Sequence, residues 1–285
     1  MNKYIKTILL STALLCFSAG HVSAAQFSEA QSGTELTAAQ LAQKLAQYDV
    51  VFFGEYHDQS EIHKAEIDLL EALHKIKGAK LALSMEMFEV DNQQKLDSFL
   101  AGQLDEAAFL ATSRPWPNYK TDYAPLVNFA KEQKMPVVAA NVPRFLAAHV
   151  AKNNASTAGI EVKHQQWLPK ATYAPEGAYK DKFYAQMNSP EAPMKMPPAR
   201  LAAVYAAQCL KDDKMAESIA AFSDAHKKMQ VLHINGCFHS DAHLGTAQKL
   251  ETLRPKLKVA VITPLERKQK GAEPAGDFVV WFDRK

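Results

Sequence analysis

The amino-acid sequence predicts an α/β fold, with a mainly parallel sheet flanked by helices and a smaller helical subdomain beside it. Short apolar runs typical of buried strands alternate with segments of helical periodicity, and this alternation favours βαβ units. Two segments between predicted strands, at about 91–134 and 142–228, are much longer than a crossover connection needs. Because both are predominantly helical in pattern, we expect them to supply the helical subdomain.

The boundaries of the predicted helices follow local signals. A capping-box pattern at 37–40 predicts a helix that ends near Tyr48. Apolar residues at helical spacing predict a second helix from about Glu61 to Ile76, which Gly78 stops. A third helix is expected around Pro125–Gln133.

Six apolar runs predict buried strands. They are Asp49–Gly54, Lys80–Met87, Met135–Ala140, Gln230–Asn235, Leu257–Ile262 and Asp277–Phe282. The polar segment Gln26–Gly33 is expected to be a mobile N-terminus. The segment Gln186–Arg200, with four prolines and three methionines, is expected to be either a lid or a long surface connection.

The first residues match a secretory signal peptide, predicted at 1–24. Lys3 and Lys6 precede an uncharged apolar stretch, and small residues lead to a cleavage site expected after Ala24. The product would be an exported, periplasmic chain of residues 25–285. The two long helical segments at about 91–134 and 142–228 are expected to be insertions within that chain.

The sequence leaves the chemical state of its three cysteines open. Cys16 is a candidate for lipidation, which would tie the chain to the outer membrane, although Leu15 stands where a small residue is usual. Cys209 and Cys237 either form a disulfide, which an export compartment permits, or are two small buried side chains. Their spacing matches no zinc motif.

The composition is that of a folded globular protein. The 285 residues are 47% hydrophobic and 22% charged, which excludes a disordered chain or a collagen. Losing the two lysines of the signal segment from 33 basic residues leaves 31, equal to the 31 acidic residues. A chain without net charge lacks the basic face of a nucleic-acid-binding protein, so this class of partner is not expected.

Ionisable residues follow four of the predicted strands. Glu55 and His57 come after the first strand, and Glu86 ends the second. Arg144 follows the third strand, and His239 follows the fourth. Because ligands bind outside the carboxyl ends of strands in open α/β sheets, this pattern predicts a functional site at that edge.

The chemistry of this edge is typical of a metal site, since carboxylates and imidazoles bind first-row divalent ions. Glu55 or Glu86 is also a candidate base toward a metal-bound water. His63 and Glu66 lie one turn apart on the next helix and are expected on a solvated face. Residue chemistry alone predicts only an unspecified ligand or metal site. The candidate metal ligands are His57, His239, Glu55 and Glu86.

The segment 114–125 is rich in aromatic residues and proline, including Trp116, Tyr119 and Tyr123. A tyrosine phenolate is a hard oxygen ligand suited to ferric haem iron. Arg144 is suited to pairing with haem propionates. The alternative is a rigid loop whose aromatic side chains cap a core, and residue chemistry alone favours that alternative.

Six short motifs occur in an order that is known from one family. They are Gly54–Asp58, Glu86–Phe88, Tyr123–Leu126, Pro136–Arg144, Gln208–Ala216 and Gly236–Gly245. In these motifs the chain resembles the ChaN-like haem-binding uptake proteins of the Tiki superfamily, over roughly 50–262. One motif departs from the family pattern, because Gly-Cys-Phe-His stands at 236–239 where Gly-Asn-Gly-His is usual.

The resemblance implies that residues 25–285 form one haem-binding domain of an exported protein for haem uptake or handling. It also implies a homodimer that stacks two haems face to face, with an outer-membrane haem receptor as a partner. The implied iron ligand is Tyr123 or Tyr119, and Trp116 and Arg144 are expected to contact the haem.

The same resemblance carries an alternative function. Superfamily relatives keep a metal-dependent hydrolytic site at positions that match Glu55, His57, Glu86 and His239. The alternative is therefore a metal-dependent hydrolase or protease with a bound divalent ion. A third hypothesis is a structural or interaction protein on a decayed enzyme fold.

Overall fold

The computed structural model describes residues 26–190 and 195–284. The predicted signal peptide at 1–24 and the lipidation candidate Cys16 lie outside the described residues. Within those residues, no helix is both long enough and apolar enough to cross a membrane.

In this part of the chain, eight strands form one sheet. The strands are β1 (Phe27–Glu29), β2 (Glu35–Leu36), β3 (Val50–Glu55), β4 (Leu81–Glu89), β5 (Val137–Asn141), β6 (Gln230–Gly236), β7 (Val259–Glu266) and β8 (Phe278–Phe282). Their order across the sheet is β2-β1-β8-β7-β3-β6-β4-β5. All pairings are parallel except those of β1 with β2 and β8. The predicted α/β class and the mainly parallel sheet are confirmed.

Ten α-helices are found in the same residues. They are α1 (Ala38–Leu45), α2 (Ser60–Lys77), α3 (Gln93–Leu100), α4 (Glu106–Ser113), α5 (Ala124–Glu132), α6 (Arg144–Lys152), α7 (Val162–Gln165), α8 (Ala178–Met187), α9 (Pro198–Ala225) and α10 (Thr246–Leu253). A π-helical turn at Tyr119–Tyr123 leads directly into α5. Helices α3 to α5 lie in the first long insertion, and α6 to α9 lie in the second.

The central strands are buried on both faces, which explains why they form unbroken apolar runs in the sequence. Along β3, Val51 and Phe53 face the larger core together with α1, α2 and α5. Val50 and Phe52 face a smaller core on the other side, against α9 and α10. This alternation fixes the register of the strand, because a slip by one residue would exchange the two faces.

The N-terminal segment Gln26–Gly33, predicted to be mobile, instead contributes β1 to the sheet, and that prediction is wrong. Phe27 is fully buried and its ring packs edge-on against Phe53, with 6.3 Å between centroids. A strand of three residues is too short for its periodicity to be detected in the sequence.

The predicted loop Gln186–Arg200 joins α8 to α9, and its residues 191–194 lie outside the described part. Gln186 and Met187 line the cleft described below. The lid and the surface connection both remain predictions. Of the cysteines in the described residues, Cys209 and Cys237 are both buried free thiols, as the second of the two alternatives predicts.

Candidate functional site

A cleft of about 990 Å³ lies at the C-terminal ends of four neighbouring strands, β3, β6, β4 and β5. Glu55, Gly236 and Asn141 are the last residues of β3, β6 and β5. Glu86 lies where the register of β4 against β5 shifts. The volume is near the upper end of the range of small-molecule and cofactor sites, about 300–1,000 Å³.

Most of the predicted site residues meet in this cleft, whereas the two candidate tyrosines do not line it. The predicted residues that line it are Glu55, His57, Glu86, Trp116, Arg144 and His239. The topology therefore brings together groups that are separated by up to about 180 positions in the sequence, as expected for the carboxyl edge of a parallel sheet.

Glu55 organises one side of the cleft. It is 1% exposed, and its Oε1 accepts hydrogen bonds from the hydroxyl of Tyr123 at 2.8 Å and from Nδ1 of His57. Trp116 packs edge-on against the His57 ring, with 4.8 Å between centroids. A Cβ on Gly236 would lie only 2.8 Å from Nε2 of His57, so glycine at that position permits this approach.

His63 and Glu66 are buried, at 5% and 0% exposed, so the prediction that they lie on a solvated face is wrong. They lie near the start of α2, which packs against the π-helical turn at Tyr119–Tyr123 and the end of β3. Helical spacing revealed that they share a face. It did not reveal that this face is turned inward.

The predicted metal ligands do not assemble as one set. Among the described residues, the group that brings three ligand atoms within 4.8 Å of one another consists of Glu55, His63 and Glu66. His57, Glu86 and His239 are not members of it. The topology places these last three at the same edge, but pairs each histidine with a different carboxylate.

Glu86 and His239 form the second pair. One oxygen of Glu86 accepts a hydrogen bond from the backbone N–H of Gly236 at 2.8 Å, and the other lies 3.3 Å from Nε2 of His239. Both side chains are at least nine-tenths buried. Asn141 also contacts this strand, because its side-chain amide donates to the Glu86 carbonyl at 3.1 Å.

Asp212 fixes the other side of the His239 ring. Its carboxylate lies 2.6 Å from Nδ1 of His239. It also accepts hydrogen bonds from the hydroxyl of Tyr179 at 2.6 Å and from the hydroxyl of Thr246 at 2.8 Å. Asp212 is completely buried, so this network holds the imidazole in one orientation.

The charges of this pair follow from its surroundings. Burial lowers the pKa of His239, but the carboxylates of Glu86 and Asp212 outweigh it and raise the pKa to about 10. Burial raises the pKa of Glu86, yet the charge of His239 holds that pKa well below its ordinary value. At neutral pH the pair is therefore imidazolium and carboxylate. In this state the His239 ring donates from Nδ1 to Asp212 and lies against Glu86 through Nε2.

The two candidate tyrosines lie beneath the cleft wall. Tyr119 is 2% exposed and packs against Phe88 and Phe109, and no group in the described ranges bonds its hydroxyl. Tyr123 is fully buried next to Trp116, with 6.1 Å between ring centroids. Burial raises the pKa of both tyrosines, so both hydroxyls stay protonated in this conformation.

Three cations line the cleft. Arg144 is 52% exposed and pairs with Glu89 at 2.5 Å. Lys182 lies over the ring of Phe238, with its ammonium group 4.5 Å from the centroid. Lys211 is close enough to Glu86 to lower the pKa of that carboxyl group.

Sequence analysis gave no role to Lys182, Lys211 or Asp212. For two of them a signal was present, because Gln208, Lys211 and Asp212 are spaced three and four residues apart along α9. That spacing puts them on one helix face. Nothing in the sequence showed that this face points toward the ends of the strands.

Comparison with known proteins places the fold. The structure described as "Cofacial heme binding to ChaN of Campylobacter jejuni" is similar with a TM-score of 0.68 and 17% identity, over 89% of this chain and 94% of that chain. The type III effector HopBA1 gives a TM-score of 0.49 and 11% identity, over 87% and 94% of the two chains. A mutant of the erythromycin esterase EreC gives 0.49 and 12%, over 88% and 81%. At 17% identity, the likeness to ChaN of Campylobacter jejuni shows the fold alone.

The family follows from the sequence. A comparison with curated proteins gives no match. Residues 41–250, well over half of the chain, match the family model described as "Haem-binding uptake, Tiki superfamily, ChaN". The chain therefore belongs to the ChaN family of haem-binding uptake proteins in the Tiki superfamily.

Proposed function

We propose that this chain binds haem in the cleft at the C-terminal edge of the sheet, and that it serves haem uptake or handling. Haem is a flat apolar ring with two anionic propionates. The cleft offers both complements, since Trp116, Phe183 and Phe238 supply apolar surface while Lys182 and Lys211 supply positive charge. This pairing of aromatic walls with cations is the observation that carries the proposal, and membership of the family supports it.

An absorption titration with hemin tests the proposal. The wild-type chain should give a saturable Soret band. Lys211→Glu should weaken hemin binding about tenfold, since it replaces a charge-assisted propionate contact by repulsion. Lys227→Glu is the matched control, because Lys227 lies at the opposite edge of the sheet, beside the starts of β3 and β6. If both variants weakened hemin binding equally, the change in net charge would explain the effect. The assignment of haem to the cleft would then be wrong.

We further propose that Tyr123 is the iron ligand. In the structure its hydroxyl is bound to Glu55 and covered by Trp116, so ligation requires the Trp116 segment to move outward. The π-helical turn at Tyr119–Tyr123 is a suitable place for such a movement, because π-helical turns are rare and frequently occur at functional sites. Glu55 would then be the base that takes up the phenol proton.

Three variants identify the ligand. Tyr123→Phe should remove the Soret shift of the ferric complex, whereas Tyr119→Phe should keep it. His57→Gln tests the competing ligand, since the His57 side chain is 41% exposed. If His57→Gln alone abolished the shift, the ligand would be imidazole, and the tyrosine assignment would fail while haem binding stood.

The homodimer with stacked haems is also a proposal. Its support in this chain is Phe145, which is 40% exposed and directly follows the cleft residue Arg144 in the sequence. Sedimentation with and without hemin tests it, with dimerisation expected on saturation. An unchanged monomer mass at saturation would contradict it.

Export is proposed from the predicted signal at 1–24. N-terminal sequencing of the mature chain should begin at residue 25, and recovery should be in the periplasmic fraction. A lipidated Cys16 would instead give an outer-membrane fraction, where a haem receptor is the proposed partner.

Hydrolysis is the second candidate function, and one observation favours it. Two carboxylate–imidazole pairs, Glu55–His57 and Glu86–His239, lie on either side of Gly236 in the cleft. Such pairs are suited to general acid–base catalysis. Ester and peptide hydrolysis should then be detectable and be lost in His57→Gln, and chelator treatment would show whether a divalent ion is needed. A haem-binding chain with no turnover would remove this candidate.

A further inference from the structure

Three buried side chains of ligand type meet behind the cleft wall, where the first turns of α2 approach the end of β3. They are Glu55, His63 and Glu66, with exposed fractions of 1%, 5% and 0%. One ligand atom from each lies within 4.8 Å of the other two. His63 and Glu66 do not line the cleft, so this cluster is a separate feature that shares only Glu55 with it.

Among the described residues, two carboxylate oxygens in the cluster accept no hydrogen bond of good geometry. They are Oε2 of Glu55 and Oε1 of Glu66, and both are shielded from solvent. Nδ1 of His63 lies 3.2 Å from an oxygen of each carboxylate. Since one ring nitrogen carries one proton at most, it can donate to only one of them. Buried carboxylate oxygens without a partner are costly, which indicates a missing positive group.

Within the described residues, the groups that pair with Glu55 and Glu66 and can carry positive charge are the imidazoles of His57 and His63. Within the described ranges, no lysine or arginine forms a salt bridge with Glu55 or Glu66. A third carboxylate, that of Asp122, lies 3.7 Å from Nε2 of His63 and adds negative charge. Buried charges in proteins are normally paired or bound to a metal ion.

The hydrogen bonds from the cluster to other residues leave ligand atoms of all three side chains facing one another, with Nδ1 of His63 bonded to Oε2 of Glu66. Oε1 of Glu55 accepts from Tyr123 and His57, so Oε2 remains available. Nε2 of His63 lies 3.2 Å from the carbonyl oxygen of His57 and is placed to donate to it. When Nδ1 gives up its proton, this contact keeps the other proton on Nε2 and leaves the Nδ1 lone pair free for a metal ion, and such a second hydrogen bond is common for histidines that bind metals.

We propose that Glu55, His63 and Glu66 form a binding site for a divalent first-row metal ion. Two carboxylates and one imidazole are donors suited to Zn²⁺, Mn²⁺ or Fe²⁺. The ion enters with loss of any proton held between the carboxylates and the imidazole. It leaves the His57 ring in the cleft, because the ion uses the oxygen of Glu55 that His57 does not.

Zinc binding to the full mature chain, free of haem, tests the site. Isothermal titration after chelator treatment should show one tight Zn²⁺ per chain. Glu66→Gln keeps the shape of the side chain and should weaken that binding at least about tenfold, since even indirect partners of metal ligands contribute that much. The matched control is Glu71→Gln on the exposed face of the same helix, which should bind as the wild type does.

The competing explanation is a proton shared between the two carboxylates. In that case the wild-type chain binds no Zn²⁺, or Glu66→Gln binds as tightly as the wild type, and either result overturns the proposal. If Glu66→Gln does not fold, as judged by circular dichroism, Glu66→Asp provides the test by withdrawing the carboxylate about one methylene. Because hemin is absent throughout, the result is independent of haem binding.

Discussion

At the scale of single residues, the state of His239 is set by neighbours far away in the sequence. Asp212 on α9 and Glu86 on β4 contact its two ring nitrogens, and both carboxylates are buried. Asp212 is a positioning residue, because it acts on the cleft through His239. The hydroxyl groups of Tyr179 and Thr246 donate hydrogen bonds to the Asp212 carboxylate and so compensate for its burial.

Asp212→Asn should therefore lower the free energy of unfolding by about 3–5 kcal/mol, because it leaves the buried imidazolium with one charged partner fewer. The pKa of His239 should fall from about 10. Urea denaturation and an NMR titration of the ring measure the two effects. Thr246→Val, which removes one donor and keeps both charges, should lower the free energy of unfolding by only about 1 kcal/mol. A stable Asp212→Asn with an unchanged His239 pKa would contradict this role.

At the scale of elements, the short strand β1 contributes more than its length indicates. Phe27 is fully buried. Its strand pairs with β8, and its ring packs edge-on against Phe53. The strand also covers the edge of β8, which would otherwise offer unpaired backbone groups to other chains.

Phe27→Ala should reduce the free energy of unfolding by about 3–5 kcal/mol, as expected for loss of a buried aromatic ring. Phe145→Ala, at a side chain that is 40% exposed, should have a much smaller effect and serves as the control. Chemical denaturation measures both. If Phe27→Ala were as stable as the control, the N-terminal segment would be mobile, as its sequence alone suggests.

The turn that follows β6 is linked to two other elements by His243. The ring is bonded to Asp277, ahead of β8, and to Glu251 on α10. The hydrogen bond to Asp277 raises the pKa of His243, and Glu251 raises it further. Together they outweigh partial burial, which lowers it, and bring the pKa to about 9. This stabilisation is complete below the unfolded pKa of about 6.5 and is lost as the pH rises through about 9.

Between pH 7 and pH 10, the wild-type chain should consequently lose more stability than His243→Asn, by on the order of 1 kcal/mol after solvent screening. Urea denaturation of both chains at the two pH values measures the difference. Comparing the two chains cancels the contributions of other histidines. Parallel pH profiles would show that the contacts of His243 do not stabilise the fold.

At the scale of the whole molecule, the sequence predicts the sheet and the edge at which the site lies. Unbroken apolar runs mark strands such as β3, and polar residues just after them, such as His57, mark the ligand-binding edge. The burial of Glu66 and the role of Lys211 were not predictable, because each depends on how a helix is rotated against the sheet. The motif at Tyr123–Leu126 predicted the Tyr123 hydroxyl as a ligand of the haem iron. Packing places this hydroxyl beneath the cleft wall.

The central claim is that haem binds in the cleft above β3, β6, β4 and β5. Anomalous diffraction at the iron edge, from crystals of the chain grown with hemin, tests it most directly. We expect one strong iron peak per chain inside the cleft lined by Trp116, Lys211 and Phe238. An iron peak elsewhere on the molecule, or crystals that take up no hemin, would contradict it.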